Sequence, residues 1–239
     1  MSILHKIDQY FRSSLDPRSW SNKELKKFAA LFDGDVVNVS GWRDSDKRTG
    51  KHYSDYFINA REYSISNFNE EYRGLQGDIG KEFQLDLTAP LPASMKKTFD
   101  VVFNHTTLEH VFDFQAAIDN ICFLSRDIVI VVVPFMQHEH STDSFGDYWR
   151  FSPMALIKLL EDRGLSTIYI SHNFAPDVYV FCIASRRPGS WSVIEEHPEN
   201  MLANTRSGRR KTFRVRRGIW GHFKGRCLRA VQAFLYDIY

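Results

Sequence analysis

The chain has 239 residues, of which 43% are hydrophobic, 14% aromatic and 25% charged, a mixture that builds one main core plus an appendage and excludes wholesale disorder. Its three cysteines, Cys122, Cys182 and Cys227, stand far apart with no paired spacing, which excludes a disulfide framework or zinc knuckle and fits a reducing compartment. The net charge of +2 hides an asymmetry: ten bases from Arg206 to Arg229 occupy a stretch without Asp or Glu, leaving 21 Lys and Arg against 29 acids elsewhere, so an acidic body carries a basic tail.

The N-terminus mixes His5, Lys6, Asp8 and Arg12 into its apolar residues, which spoils a signal-peptide core. The longest aliphatic run, Ile128 to Val133, is far too short to span a bilayer. A cytoplasmic protein is expected, with the tail able to bring it to the inner face of a membrane.

Two short helices are predicted first, over Ile3 to Phe11 and over Lys23 to Phe32, the second with Ser21 as N-cap. They form an N-terminal helical cap over residues 1–34. From Asp35 the pattern changes to short β-branched runs separated by turns and helices, the signature of a largely parallel sheet. Strands are predicted at Asp35 to Val39, Arg61 to Ser66, Glu82 to Leu85 and Phe99 to Phe103. A helix from Asp113 to Leu124 then feeds the strand Ile128 to Val133, apolar throughout as a strand buried on both faces should be. Ser152 and Pro153 mark the start of another helix, stopped at Gly164. Leu165 to Ser171 and Val178 to Ser185 follow with a short Pro-containing connection, as antiparallel neighbours.

The fold class is therefore α/β: a doubly wound, Rossmann-like, seven-stranded and mostly parallel sheet with its last two strands antiparallel, spanning residues 35–187. Residues 188–239 read as a linker, Pro188 to Ser207, followed by the basic tail. In such a sheet the ligand crevice lies at the carboxyl ends of the strands.

The residues at those ends carry a resemblance. The run Phe99-Asp100-Val101-Val102-Phe103-Asn104-His105-Thr106-Thr107-Leu108-Glu109-His110-Val111 resembles the FDVV…LEHV segment of class I S-adenosylmethionine-dependent methyltransferases. Fourteen residues earlier, Leu85-Asp86-Leu87-Thr88 looks like that family's third-strand end. Val133-Pro134-Phe135 and then Asp147-Tyr148-Trp149-Arg150-Phe151-Ser152-Pro153 resemble its VPF…DYWRFTP run. The resemblance covers about Asp35 to Ser185 and implies a small-molecule or glycan O- or N-methyltransferase using S-adenosylmethionine. It implies a cofactor site at Val39, Ser40, Gly41, Trp42, Asn67, Asp86, Leu87, Asn104 and His105, with the Asp86 carboxylate toward the adenine.

One departure stands at the first strand, where the family has a glycine-rich loop and this chain has Ser40-Gly41-Trp42-Arg43. Trp42 and Arg43 either reshape the pocket or close it; closure would make the chain a methyltransferase-like binding or scaffold protein without catalysis. At the end of the second strand the family's usual acid is replaced by Asn67, a neutral partner for a ribose. Lys47, Arg48, Lys51 and His52 beside this loop read as a solvated cluster or a phosphate contact.

On the acceptor side, His110, His138 and His140 are the candidate catalytic bases, since an imidazole titrates near neutral pH. Glu109, Tyr148, Trp149 and Arg150 are the candidate substrate contacts, the guanidinium suiting an anionic group. The bland alternatives are helix capping for Glu109, core anchoring for Trp149 and solvated loop positions for the histidines. A His-x-His loop without a third ligand does not specify a metal site, and none is expected. In the tail, Phe213, Trp220 and Phe223 are interleaved with the bases. That mixture suits an anionic membrane surface or lipid-linked substrate, or a nucleic acid as methylation substrate. The apolar stripe of Leu228 to Tyr239 suits docking on the body or on a second copy in a homodimer.

Overall fold

The computed structural model describes residues 16–46, 49–68, 74–75, 81–143, 145–173 and 177–206. The expected helix at Ile3 to Phe11, the basic tail beyond Arg206, and Lys47 and Arg48 lie outside the described residues. The chain forms two units, Met1–Leu202 and Ala203–Tyr239; the first holds the sheet, and the second is described only as far as Arg206.

Helix α1 runs from Pro17 to Phe28, six residues earlier than expected. Asp16 caps it, accepting from the Ser19 amide at 2.8 Å, and Pro17 occupies the first turn. This is the same cap-plus-proline signal as Ser152-Pro153. Ser21, expected as the cap, is instead buried inside the helix with its hydroxyl donating to the Arg18 carbonyl.

Seven strands follow: β1 (Asp35–Val39), β2 (Glu62–Asn67), β3 (Lys81–Gln84), β4 (Phe99–His105), β5 (Ser125–Met136), β6 (Ser166–His172) and β7 (Val178–Ser185). They form one sheet in the order β3-β2-β1-β4-β5-β7-β6. The first five are parallel, while β7 inserts antiparallel between β5 and β6, so the expected mixed, doubly wound sheet is what forms. β5 exceeds the apolar run at both ends because it pairs along its length with β4 on one side and β7 on the other.

Each face of the sheet is covered. On one, α2 (Phe114–Leu124) and α3 (Pro153–Glu161) bury Ile118, Ile121, Leu156 and Leu160 against Val37, Val102, Val129 and Val131. On the other, α1 and the turn at Tyr53–Tyr56 bury Leu25, Phe28 and Phe57 against Val36, Phe103, Ile130 and Phe181. Strand residues of alternating parity thus supply two cores, which is why β5 is apolar at every position from Ile128 to Val133.

The stretch expected as a linker folds back as far as Met201. Ile194, in the short helix α4 (Ser192–Glu195), is fully buried. Asn200 accepts from the Ile170 amide and donates to the Ile168 carbonyl, and the Met201 amide donates to the Ile170 carbonyl. The free edge of β6 is thereby occupied. A short helix, α5 (Leu202–Arg206), follows.

Candidate functional site

β1 has β2 on one side and β4 on the other, so chain order reverses at β1, and a crevice opens beyond the carboxyl ends of these strands. It is a cavity of about 740 Å³, within the range of small-molecule sites. Of the residues expected there, Ser40, Gly41, Trp42, Asn67, Asp86, Leu87, His105, His110 and Tyr148 line it. Arg18, Tyr53, Phe68, Thr106 and Phe112 line it too, although no spacing in the sequence singles them out.

The loop after β1 does with ordinary residues what glycines usually do. Ser40, Trp42 and Asp44 adopt positive φ angles of 56°, 48° and 52°, each a conformation costing a non-glycine residue about 1–2 kcal/mol. Gly41 between them is required for space: a Cβ there would sit 2.7 Å from Asn38 Nδ2 and 3.1 Å from Ile65 Cγ2. The turn is held from beneath by Asp44, fully enclosed, which accepts from Asn38 Nδ2 (2.7 Å), the Tyr63 hydroxyl (2.6 Å) and the Ser54 amide (2.9 Å). Its neighbour Asp46 accepts from the Tyr56 hydroxyl at 2.5 Å.

Trp42 forms part of the cavity wall with the Arg43 guanidinium 5.5 Å from its ring centroid, so the loop reshapes the crevice and leaves it open. Asn67, expected to reach a ribose, has its amide engaged: Oδ1 accepts from the Trp42 amide, and Nδ2 donates to the Trp42 carbonyl and to Glu82 Oε1. One of its N–H donors is used on the loop and the other on β3, which corrects the expectation that they serve a ligand.

Asp86 closes a local turn with one carboxylate oxygen and keeps the other clear of it. Its Oδ1 accepts from the Thr88 amide and hydroxyl, both at 2.7 Å, closing a local turn. Its Oδ2 accepts no hydrogen bond from any described residue, and the side chain lines the cavity. Val39 and Asn104, expected at the cofactor, lie below the floor: both are buried, Asn104 Nδ2 donating to the Val39 carbonyl.

His105 belongs to a closed ring of hydrogen bonds. The Ser21 hydroxyl donates to the Arg18 carbonyl, so His105 Nε2, 2.8 Å away, must donate to Ser21 Oγ. Nδ1 then accepts from the Thr106 hydroxyl (3.1 Å), whose oxygen accepts from Arg18 Nη2 (2.8 Å). Burial, with the Arg18 charge beside it, holds the His105 pKa well below its usual range, so this imidazole is a neutral fixture. The ring ties α1 to the end of β4 and sets Arg18 in the cavity wall, where it is the sole Lys or Arg among the described lining residues.

The turn Leu108–His110 leads to the acceptor side. Glu109 does not cap a helix: its side chain is fully buried, and neither carboxyl oxygen has a hydrogen-bond partner. Burial pushes its pKa up to about 8. His110 donates from Nδ1 to the Gly146 carbonyl at 2.7 Å, placing Nε2 3.8 Å from Glu109 Oε1. His140 packs edge-on against His110, centroids 4.9 Å apart, with its Nδ1 3.0 Å from Asp147 Oδ2. His138 is exposed and outside both the cavity wall and this cluster.

Two further expectations are corrected. Arg150 has all five N–H groups engaged: Nε with the Gln137 carbonyl, Nη1 with Asp147 Oδ1 and the Trp149 carbonyl, and Nη2 with the His138 carbonyl and Asp147 Oδ2. It pins the loop after β5 instead of facing an anionic substrate, and it holds the Asp147 pKa down to about 2. Trp149 is an anchor: its Nε1 donates to the Phe112 carbonyl and its ring packs on Phe114 at 4.8 Å. Tyr148 does face the cavity, and with Phe68 and Phe112 it forms a rim of three exposed aromatic rings.

Solved structures share this architecture at low identity. The 1,6-didemethyltoxoflavin N1-methyltransferase of Burkholderia thailandensis, solved with 1,6-didemethyltoxoflavin and S-adenosylhomocysteine, is 13% identical, with a TM-score of 0.50 over 77% of this chain and 91% of that one. The chain has the class I methyltransferase fold. An S-adenosylmethionine-dependent methyltransferase assignment from Listeria monocytogenes matches at 11% identity and TM-score 0.50, over 69% of this chain and 97% of that one. A methyltransferase assignment from Bacillus halodurans does so at 11% and 0.50, over 69% and 98%. No protein-family model and no curated protein sequence matches the chain. Among the described residues no helix is long and apolar enough to cross a membrane.

Proposed function

We propose that the protein is an S-adenosylmethionine-dependent methyltransferase acting on a small molecule with a flat or apolar face. The observation that carries this reading is the open cavity at the chain reversal, whose two halves differ in chemistry. One half, at β1 and β3, offers the strained turn of Ser40 to Trp42, the Asp86 Oδ2 acceptor and the Arg18 cation. The other, beyond β4 and β5, offers the aromatic rim and His110.

The residues of the first half fit the cofactor that the fold implies. A close backbone approach at Gly41, where a Cβ would clash with Asn38, suits the methionine portion. Asp86 Oδ2 suits the adenine amino group, and Arg18 suits a carboxylate. The cofactor supplies an electrophilic methyl group. The chain's own contribution is then positioning: Trp42 forms a wall beside the reacting pair, Phe68, Phe112 and Tyr148 hold the flat face of the acceptor, and alignment supplies much of the rate. The acceptor's proton falls to the group around His110, with Glu109 and His140 behind it; His138 stands apart.

A scaffold without catalysis would require Trp42 and Arg43 to fill the crevice, and Trp42 instead lines it. The basic tail is proposed as the contact for an anionic surface. A cytoplasmic setting accords with the unpaired spacing of the cysteines.

Calorimetric titration with S-adenosylhomocysteine and S-adenosylmethionine tests this. The intact chain is expected to bind both, Asp86→Ala to weaken both by about tenfold, the loss of one charged hydrogen bond, and Tyr148→Ala to leave both unchanged while raising the acceptor KM. No binding of either compound to the intact chain at millimolar concentration defeats the proposal.

A further inference from the structure

Among the described residues, the buried carboxyl of Glu109 stands out for its lack of hydrogen-bond partners. A buried carboxyl is ordinarily hydrogen-bonded or paired, yet both of its oxygens lack a hydrogen-bond partner. They sit beside two imidazoles: one donor atom each from Glu109, His110 and His140 lies within 4.8 Å of the others. We propose that Glu109, His110 and His140 bind a divalent transition-metal ion, with zinc the best match, at the acceptor end of the cavity.

The donor set fits that chemistry. Two imidazole nitrogens and one carboxylate oxygen are a borderline-soft set, and three protein ligands leave a tetrahedral ion one further position. The imidazoles are also oriented from behind, as ligating histidines are. The Gly146 carbonyl accepts from His110 Nδ1 at 2.7 Å, which leaves Nε2 as the side turned to Glu109. Asp147 Oδ2 stands 3.0 Å from His140 Nδ1, and Arg150 grips the same carboxylate through two nitrogens at 2.6 Å. Arg150, Asp147 and His140 therefore form a chain of contacts ending at the cluster, which gives a reason for five guanidinium bonds in a loop so near the cavity.

Ligand atoms around a tetrahedral zinc stand about 3.4 Å apart, given bonds of about 2.1 Å. The cluster needs to close by up to about 1.4 Å, from 4.8 Å to the tetrahedral spacing, within reach of a rotation of His140, the most exposed of the three. The signal was partly legible: Glu109-His110 and His140 stand in the sequence, but only His140 comes from the His-x-His loop. The fold brings the other two ligands from the turn after β4. His138, the partner that the spacing offered, is not part of the set.

Beside His110 in the cavity wall, such an ion would bind an oxygen of the acceptor and lower its pKa, so that the acceptor's proton leaves to solvent water and His110 serves as a ligand in place of the base role given to its group above. That role rests on the methyltransferase reading; the binding of the ion does not.

The test uses the full chain, stripped with EDTA and titrated with Co²⁺ while visible d–d bands are recorded, followed by displacement with Zn²⁺. One equivalent is expected to bind, with affinity reduced at least about tenfold in Glu109→Gln and in His140→Ala and unchanged in His138→Ala. Circular dichroism checks that each variant folds, and His140→Ala, at a partly exposed loop position, carries the test should Glu109→Gln misfold. Absence of stoichiometric binding, or equal binding by the intact chain and His140→Ala, overturns the site. S-adenosylhomocysteine titration of the same samples separates the two readings: Co²⁺ binding without S-adenosylhomocysteine binding defeats the methyltransferase role alone, and the converse defeats the ion alone.

Discussion

The two ends of the sheet are built on opposite principles. At the amino end, charges are matched. Asp127 accepts from the Ser185 hydroxyl, the Arg186 and Arg187 amides, the Arg187 guanidinium and Trp191 Nε1, and Asp100 accepts from the Asp35 amide, Arg61 and Arg126. At the carboxyl end, four of the five non-glycine residues with positive φ among the described residues are found, namely Ser40, Trp42, Asp44 and Thr106. Ser66 Oγ, Asn104 Oδ1 and both Glu109 oxygens are buried there without hydrogen-bond partners. One end secures the fold, and the other gathers backbone strain and unmet polarity around and beneath the crevice.

The comparison is most exposed to failure at Asp44, the strut under the strained loop. Asp44→Ala leaves Asn38, Tyr63 and the Ser54 amide without their shared acceptor and is expected to cost about 3–5 kcal/mol in urea unfolding, since each buried donor left unsatisfied costs about 1–3 kcal/mol. A cost below about 1 kcal/mol would mean that the loop is not held from beneath.

At the other end, Asp127→Asn is expected to cost about 2 kcal/mol at pH 7. Despite the opposing effect of burial, the bonds from Ser185, Trp191 and Arg187 hold the Asp127 pKa below its ordinary value, so its contribution is present above that value and lost as pH falls through the lowered one. The gap between mutant and parent should therefore narrow below about pH 4; a gap independent of pH down to pH 2 would contradict the pairing.

The smallest effect separates strain from function. Ser40→Gly and Lys97→Gly each relieve a positive φ, of 56° and 54°, and each should gain about 0.5 kcal/mol. Only the first should also weaken S-adenosylhomocysteine binding, by calorimetry, because Ser40 lines the cavity and Lys97 stands at the opposite end of β4. Equal effects on binding would erase the distinction.

The framework was more legible than the site, for a physical reason. β1 and β7 start and end where their β-branched runs do, and Ser152 caps α3 as its sequence signal says, because strands and caps are written in neighbouring residues. The start of α1 differs from the expected one although Asp16-Pro17 carries the same signal, since the amphipathic stripe that marks a helix begins only at Lys23. In the site, Asp86, Gly41 and His110, singled out by motif order, line the cavity. The fates of Glu109, Asn67 and Arg150 were not legible, because whether a polar side chain meets a ligand, a backbone loop or nothing depends on residues distant in sequence. Arg18 left no trace, since its reach into the cavity depends on how α1 lies across the sheet.

The segment around Asn200 and Met201 has a meaning beyond the packing of β6. A strand margin with open amides and carbonyls invites another chain to extend the sheet, the first step of fibril growth. By occupying Ile168 and Ile170 with a side-chain amide and one backbone N–H, this short return of the chain makes β6 a poor template, and it protects the apolar centre of the sheet from self-association as the protein emerges and folds.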